Sequence, residues 1–203
     1  LGSTVYEDTY GLPRRFDLPG LLQTEDRPAL SPTSKALIDA LAQSGRAHVC
    51  VYTARPSLPP ADVSNRLTLR AAGYSPEAEM GAQLVNLQAY PLIATGRMLW
   101  LSRQINRPVE TLTKPAPIQA LAAMAAALNG QEAASLTAAY RLMAQGKLTE
   151  PFAALRGQVV DVWVFEDALP GLHASRGAVE LLRQHGIDAH LHGIGIAAGG
   201  PKV

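Results

Sequence analysis

The chain has 203 residues, 47% of them hydrophobic, enough to bury one sizeable core at the upper end of an ordinary single domain. Its formal charge of +1, from 18 basic and 17 acidic residues, supplies no long-range field to hold nucleic acid or an anionic membrane surface. The one cysteine, Cys50, rules out a disulfide framework and any CxxC metal site, and no apolar run approaches the roughly 20 residues that cross a bilayer.

The start, Leu1-Gly2-Ser3, lacks the charged and apolar regions of a secretory leader. With the unpaired cysteine this gives an expectation of a cytoplasmic setting, without nucleic-acid or membrane partners and with the oligomeric state open.

In chain order, Ser31-Pro32-Thr33-Ser34 followed by Lys35 to Ser44 predicts a helix, with Ser31 as cap, Pro32 in the first turn and Gly45 as stop. Ala47 to Tyr52 is short and nearly all apolar, as a strand covered on both faces would be. Prolines make Ser57 to Pro60 a loop, and Ala61 to Ala72 reads as a helix closing at Gly73. Gln83 to Tyr90 is expected as a strand, and Met98 to Leu101 as a strand or the start of a helix.

Pro117 to Leu128 and Glu132 to Gln145 are predicted helices, stopped by Asn129-Gly130 and Gly146. Val159 to Phe165 is a second buried strand, Leu172 to His185 a helix closed by Gly186, and Ile187 to Ile196 a third strand. Strands alternating with helices imply a parallel sheet, with ligands beyond the carboxyl ends of its strands.

The chemistry-bearing segment is Val164-Phe165-Glu166-Asp167-Ala168-Leu169-Pro170-Gly171-Leu172, where two adjacent carboxylates end a strand. Hard cations take such oxygen ligands, although acidic residues also suit the positive end of a helix. Val51-Tyr52-Thr53-Ala54-Arg55-Pro56 places a short hydroxyl donor at another strand end, the kind of group that stabilises developing negative charge. Leu112-Thr113-Lys114-Pro115-Ala116-Pro117 sets a lysine before a helix.

Taken in order, these segments resemble motifs of the haloacid dehalogenase (HAD) superfamily. VFEDALPGL resembles the fourth motif, which implies Asp167 as a Mg²⁺ ligand with Glu166 supporting it. The Thr53 segment resembles the second, implying that the Thr53 hydroxyl and the backbone of Ala54 and Arg55 hold a phosphoryl group. The Lys114 segment resembles the third, whose lysine offsets charge between nucleophile and phosphoryl group.

For the first motif, Val5-Tyr6-Glu7-Asp8-Thr9-Tyr10-Gly11-Leu12 offers Asp8 as nucleophile and second metal ligand, with Tyr10 where the family's acid would stand. Phe16-Asp17-Leu18-Pro19-Gly20 is the rival, preceded by Pro13-Arg14-Arg15, which a buried strand does not accommodate.

The resemblance implies a three-layer Rossmann-like parallel sheet flanked by helices, spanning 1–203 as a single domain, with a cap or helical insertion within 57–113 or 130–156. The function it implies is a Mg²⁺-dependent phosphatase or phosphotransferase acting on a small phosphorylated metabolite through an aspartyl-phosphate. Two alternatives stay open: a degenerate HAD-like domain with a binding or regulatory role, and a metal-independent dehalogenase, whose Asp-x-Tyr-Gly pattern the Tyr10 segment matches.

The five histidines show no HExxH spacing, and His190 and His192 share one face of a strand without a third ligand. Gly193 to Gly200 reads as a strand followed by a flexible turn in preference to a phosphate cradle.

Overall fold

The computed structural model describes residues 13, 24, 30–63 and 73–196. Among them are six α-helices and two small parallel sheets, a mixed α/β arrangement.

Helix α1 spans Pro32–Gln43, with Ser31 as N-cap accepting a hydrogen bond from the Ser34 N–H, as the cap residue and Pro32 dictate. Strand β1 is only Val51–Tyr52, paired in parallel with β2, Leu92–Ile93, in the register Val51 to Leu92 and Tyr52 to Ile93. The ladder expected over 47–52 is cut short because its partner is short. Pro91 has no N–H to offer, and by Thr95 the chain has already entered α3, Thr95–Ile105.

The strand expected over 83–90 is absent. Gln83 and Leu84 belong to the last turn of α2, Glu77–Leu84, and Asn86 in the left-handed region turns the chain out of it. Met98 to Leu101 lies inside α3. The helix expected over 61–72 falls largely outside the described residues.

Helices α4, Pro117–Asn129, and α5, Glu132–Gln145, follow the sequence closely, each ended by a glycine in the left-handed conformation, Gly130 and Gly146. Strand β3, Val159–Glu166, pairs along its length with β4, Asp188–Gly195. Between them, α6 covers Leu169–Gln184 and starts three residues earlier than the periodicity suggests, because Pro170 is tolerated in a first turn.

In the main core cluster Ile93, Leu121, Leu136, Leu142, Phe152, Val179 and Leu182 are buried among the alanines of α4 to α6, and a smaller one joins Ala78, Leu92 and Ala94. Alanine lets these helices approach closely: α4 packs against α5 and α6 and also touches both β1 and β2. Helix α5 is built into this core.

One consequence differs from the expectation of a strand buried on both faces. Val160, Val162 and Val164 of β3 are half-buried on one face, while Val159, Asp161, Trp163 and Phe165 are exposed on the other. No described residue joins the two parallel pairs into the single three-layer sheet implied by the sequence.

Candidate functional site

Thr53 follows β1 directly. Its backbone N–H continues the ladder to the Ile93 carbonyl at 3.1 Å, and its hydroxyl accepts the Arg55 N–H at 3.2 Å. The start of α3 pins the next two residues: the Thr95 hydroxyl donates to the Ala54 carbonyl at 2.7 Å and the Thr95 N–H to the Arg55 carbonyl at 3.2 Å. The loop 53–55 is therefore held from both sides.

Lys114 occupies the turn that leads into α4, closed by an Ala116 N–H to Thr113 carbonyl bond of 2.9 Å. Its ammonium reaches the Glu166 carboxylate at the end of β3, 2.5 Å away, and stands 3.7 Å from the centroid of the Tyr52 ring. Both charged side chains are 8% exposed. Withdrawing two charges from water is costly, and the ammonium recovers part of that cost from the carboxylate and the negative face of the aromatic ring.

Tyr52 serves this arrangement through its ring. Burial, and after it the Glu166 charge, push its phenol well above the ordinary value, so it stays neutral. Glu166 in turn rests on Gly171 in the first turns of α6. A Cβ added there would lie 2.0 Å from Glu166 Oε2, so only glycine leaves room for the carboxylate.

Gln119, wholly buried in α4, joins the two halves of the site. Its Nε2 donates to the Thr53 carbonyl at 2.8 Å, and its Oε1 accepts the Lys114 N–H at 3.3 Å. Sequence reading passed over Gln119. The signal available was a single amide among Ile118, Ala120, Leu121 and Ala122 in an otherwise apolar stretch.

Of the residues singled out in the sequence, Thr53, Lys114 and Glu166 are thus linked at the carboxyl ends of β1 and β3. Asp167 is the next residue after β3 and is exposed, as are Ala54 and Arg55. Asp8, Tyr10 and the rival Asp17 lie outside the described residues. His192 approaches Asp161 at 2.8 Å and His190 approaches Asp188 at 3.1 Å, on the open face of β3 and β4 and away from this corner.

The oxygen donors of Asp167 and Glu166 are chemically suited to a hard cation. Their number is not sufficient on its own: Glu166 is engaged by Lys114, and among the described residues no group of three His, Cys, Asp or Glu side chains is placed to hold a metal ion. Among those residues, too, no helix is long and apolar enough to cross a membrane.

A second buried charge cluster, also passed over in the sequence, sits between β2, α2, α3 and α5. Arg97 donates through Nε to Glu132 at 2.9 Å, and through Nη1 to the Leu58 carbonyl at 2.9 Å and to Glu79. Glu132 further accepts the Ala61 N–H at 2.8 Å and the Leu92 N–H at 2.9 Å.

No protein family, curated protein or solved structure matches this chain.

Proposed function

We propose that this is a HAD-like domain acting as a phosphohydrolase or phosphotransferase on a small phosphorylated molecule. Its two parallel pairs would belong to one Rossmann-like sheet. The observation that carries the reading is that Thr53, Lys114 and Glu166, far apart in sequence, converge at the carboxyl ends of parallel strands, with Asp167 next to Glu166 in the chain.

In this reading the phosphoryl oxygens are held by the Thr53 hydroxyl and the backbone of Ala54 and Arg55, with Lys114 offsetting their charge. The Asp8 carboxylate attacks phosphorus, forming a new O–P bond as the bond to the leaving oxygen breaks; water then hydrolyses the aspartyl-phosphate. Tyr10, with an ordinary pKa of about 10, is a poor proton donor to the leaving oxygen, which takes its proton from solvent. Asp8 and Asp167, supported by Glu166, are the residues that would hold Mg²⁺ in this reading; a bound ion would offset phosphoryl charge.

The test is turnover of a panel of phosphoesters with and without Mg²⁺, for the full chain and for Asp8→Asn. Mg²⁺-dependent turnover abolished by the substitution is the expected result. Turnover that survives Asp8→Asn removes Asp8 from the mechanism.

A second reading, a degenerate domain that binds a phosphorylated ligand without turnover, is favoured by one observation. The Lys114 ammonium is already buried against a carboxylate, which leaves it less charge to spend on a phosphoryl group. It predicts saturable phosphate binding and no turnover on the same panel.

A further inference from the structure

We infer that Gln119 is the positioning residue of this corner, setting where the Lys114 ammonium stands relative to Thr53. As far as a ligand is concerned, the inference rests on the phosphate-handling reading above; the geometry of Lys114 itself does not.

Gln119 is costly to bury. It is wholly buried, in a helix where its neighbours Ile118, Ala120 and Leu121 are equally buried. An apolar side chain would fill the position without desolvating a carboxamide. The amide is instead spent on two main-chain groups from different elements, the carbonyl of Thr53 after β1 and the N–H of Lys114 before α4. A carboxamide is the side chain that offers one donor end and one acceptor end at this spacing, and here each end meets its complement.

The consequence reaches the lysine through the backbone. Thr53 directly follows Tyr52, so tying the Thr53 carbonyl to the Lys114 N–H holds the Lys114 turn against β1 and the ammonium 3.7 Å from the Tyr52 ring centroid. Glu166 alone does not fix this, because a lysine stem of four carbons reaches a carboxylate from many backbone positions. Gln119 thereby sets the distance between the hydroxyl end and the cationic end of the site, while exposing no atom of its own to a ligand.

The Tyr52 ring supplies a reporter, since a group over its face has its methylene resonance displaced upfield. The experiment follows the Lys114 side-chain resonance in isotope-labelled full-length chain, assigned by its loss in Lys114→Arg. Gln119→Met is expected to remove half or more of the displacement. Ser135→Ala, which removes another buried polar group where α5 begins, lowers the melting temperature and leaves the displacement alone.

Gln119→Glu provides the rescue and a second variant should the methionine substitution fail to fold. Ionised, its carboxylate has no donor for the Thr53 carbonyl; protonated at low pH it again presents one donor and one acceptor, and the displacement returns. A merely space-filling residue would show no such pH dependence. In parallel, inorganic phosphate is titrated into the same proteins, with about tenfold weaker binding expected for Gln119→Met, the scale of one lost hydrogen bond.

An unchanged Lys114 resonance in Gln119→Met, or a Gln119→Glu resonance that ignores pH, overturns the inference whether or not phosphate binds. A wild-type chain that binds no phosphate overturns the reading of the site and leaves the resonance to decide the role of Gln119.

Discussion

Two buried cations in this molecule, Arg97 and Lys114, are each paired with carboxylates, and they are built differently. The Arg97 cluster is tied to the backbone: the guanidinium meets two carboxylates and a carbonyl, and Glu132 also accepts two backbone N–H groups. Lys114 meets one carboxylate and one aromatic face, and the described residues give Glu166 no backbone donor. The first cluster is knotted into the main chain and serves to hold α2, α3 and α5 in place. The second consists of side chains at the carboxyl ends of two strands, where the proposed function would have its ligand.

That contrast is open to direct attack, and the largest effect is expected at Arg97. Arg97→Met strands Glu79 and Glu132 and is predicted to cost about 3–5 kcal/mol in urea unfolding. Adding Glu132→Leu does not restore it, because the Ala61 and Leu92 N–H groups then lose their acceptor, about 1–3 kcal/mol apiece. Lys114→Met alone is predicted to cost about 3 kcal/mol, but Lys114→Met with Glu166→Leu returns to within about 1 kcal/mol of the parent, an apolar pair being no worse than a buried ion pair. Recovery in both double variants, or in neither, would erase the distinction.

The glycines beside the two clusters give a smaller version of the same comparison. A Cβ at Gly96 would meet the Ser57 carbonyl oxygen at 2.0 Å, main-chain atoms that have nowhere to go. At Gly171 it would meet the Glu166 carboxylate, which can swing aside. Gly96→Ala is therefore expected to cost about 3 kcal/mol and Gly171→Ala about 1 kcal/mol. Only the latter should release Lys114 from the Tyr52 ring, seen as loss of its upfield resonance.

The smallest effect is alkaline. Burial raises the folded-state pKa of Tyr52 above its ordinary 10.0. The stability this contributes is complete below pH 10 and is lost as pH rises from there towards the folded value. Tyr52→Phe removes that loss, moving the alkaline unfolding midpoint up by roughly half a pH unit. Cys50, also raised by burial, has the same sign and is present in both proteins, so the difference belongs to Tyr52.

The legibility of the chain follows from the range of the forces involved. Helices α1, α4 and α5 and strands β3 and β4 were readable because their signals are local: a serine cap, prolines in first turns, left-handed glycines at the ends, β-branched runs. The positions of Lys114, Glu166 and Asp167 could be read in the same way, beside α4 and at the end of β3.

What the sequence could not supply was pairing. The brevity of β1 depends on Pro91 and Thr95, some forty residues further on, and the strand expected over 83–90 yielded to a turn at Asn86. The outward face of β3, with Trp163 and Phe165, is exposed because α6 packs on the other side, a matter of packing that alternation alone does not disclose.

Sequence by itself thus determined the elements whose ends carry local signals, α1, α4, α5, β3 and β4, and the polar side chains beside them, since both are set within a few residues. Only the tertiary structure decided that Gln119 spans Thr53 and Lys114, that Glu166 receives the lysine, and that Arg97 and Glu132 close a separate knot. A buried polar group must find its partner wherever folding brings one, and in this chain most of those partners lie tens of residues away.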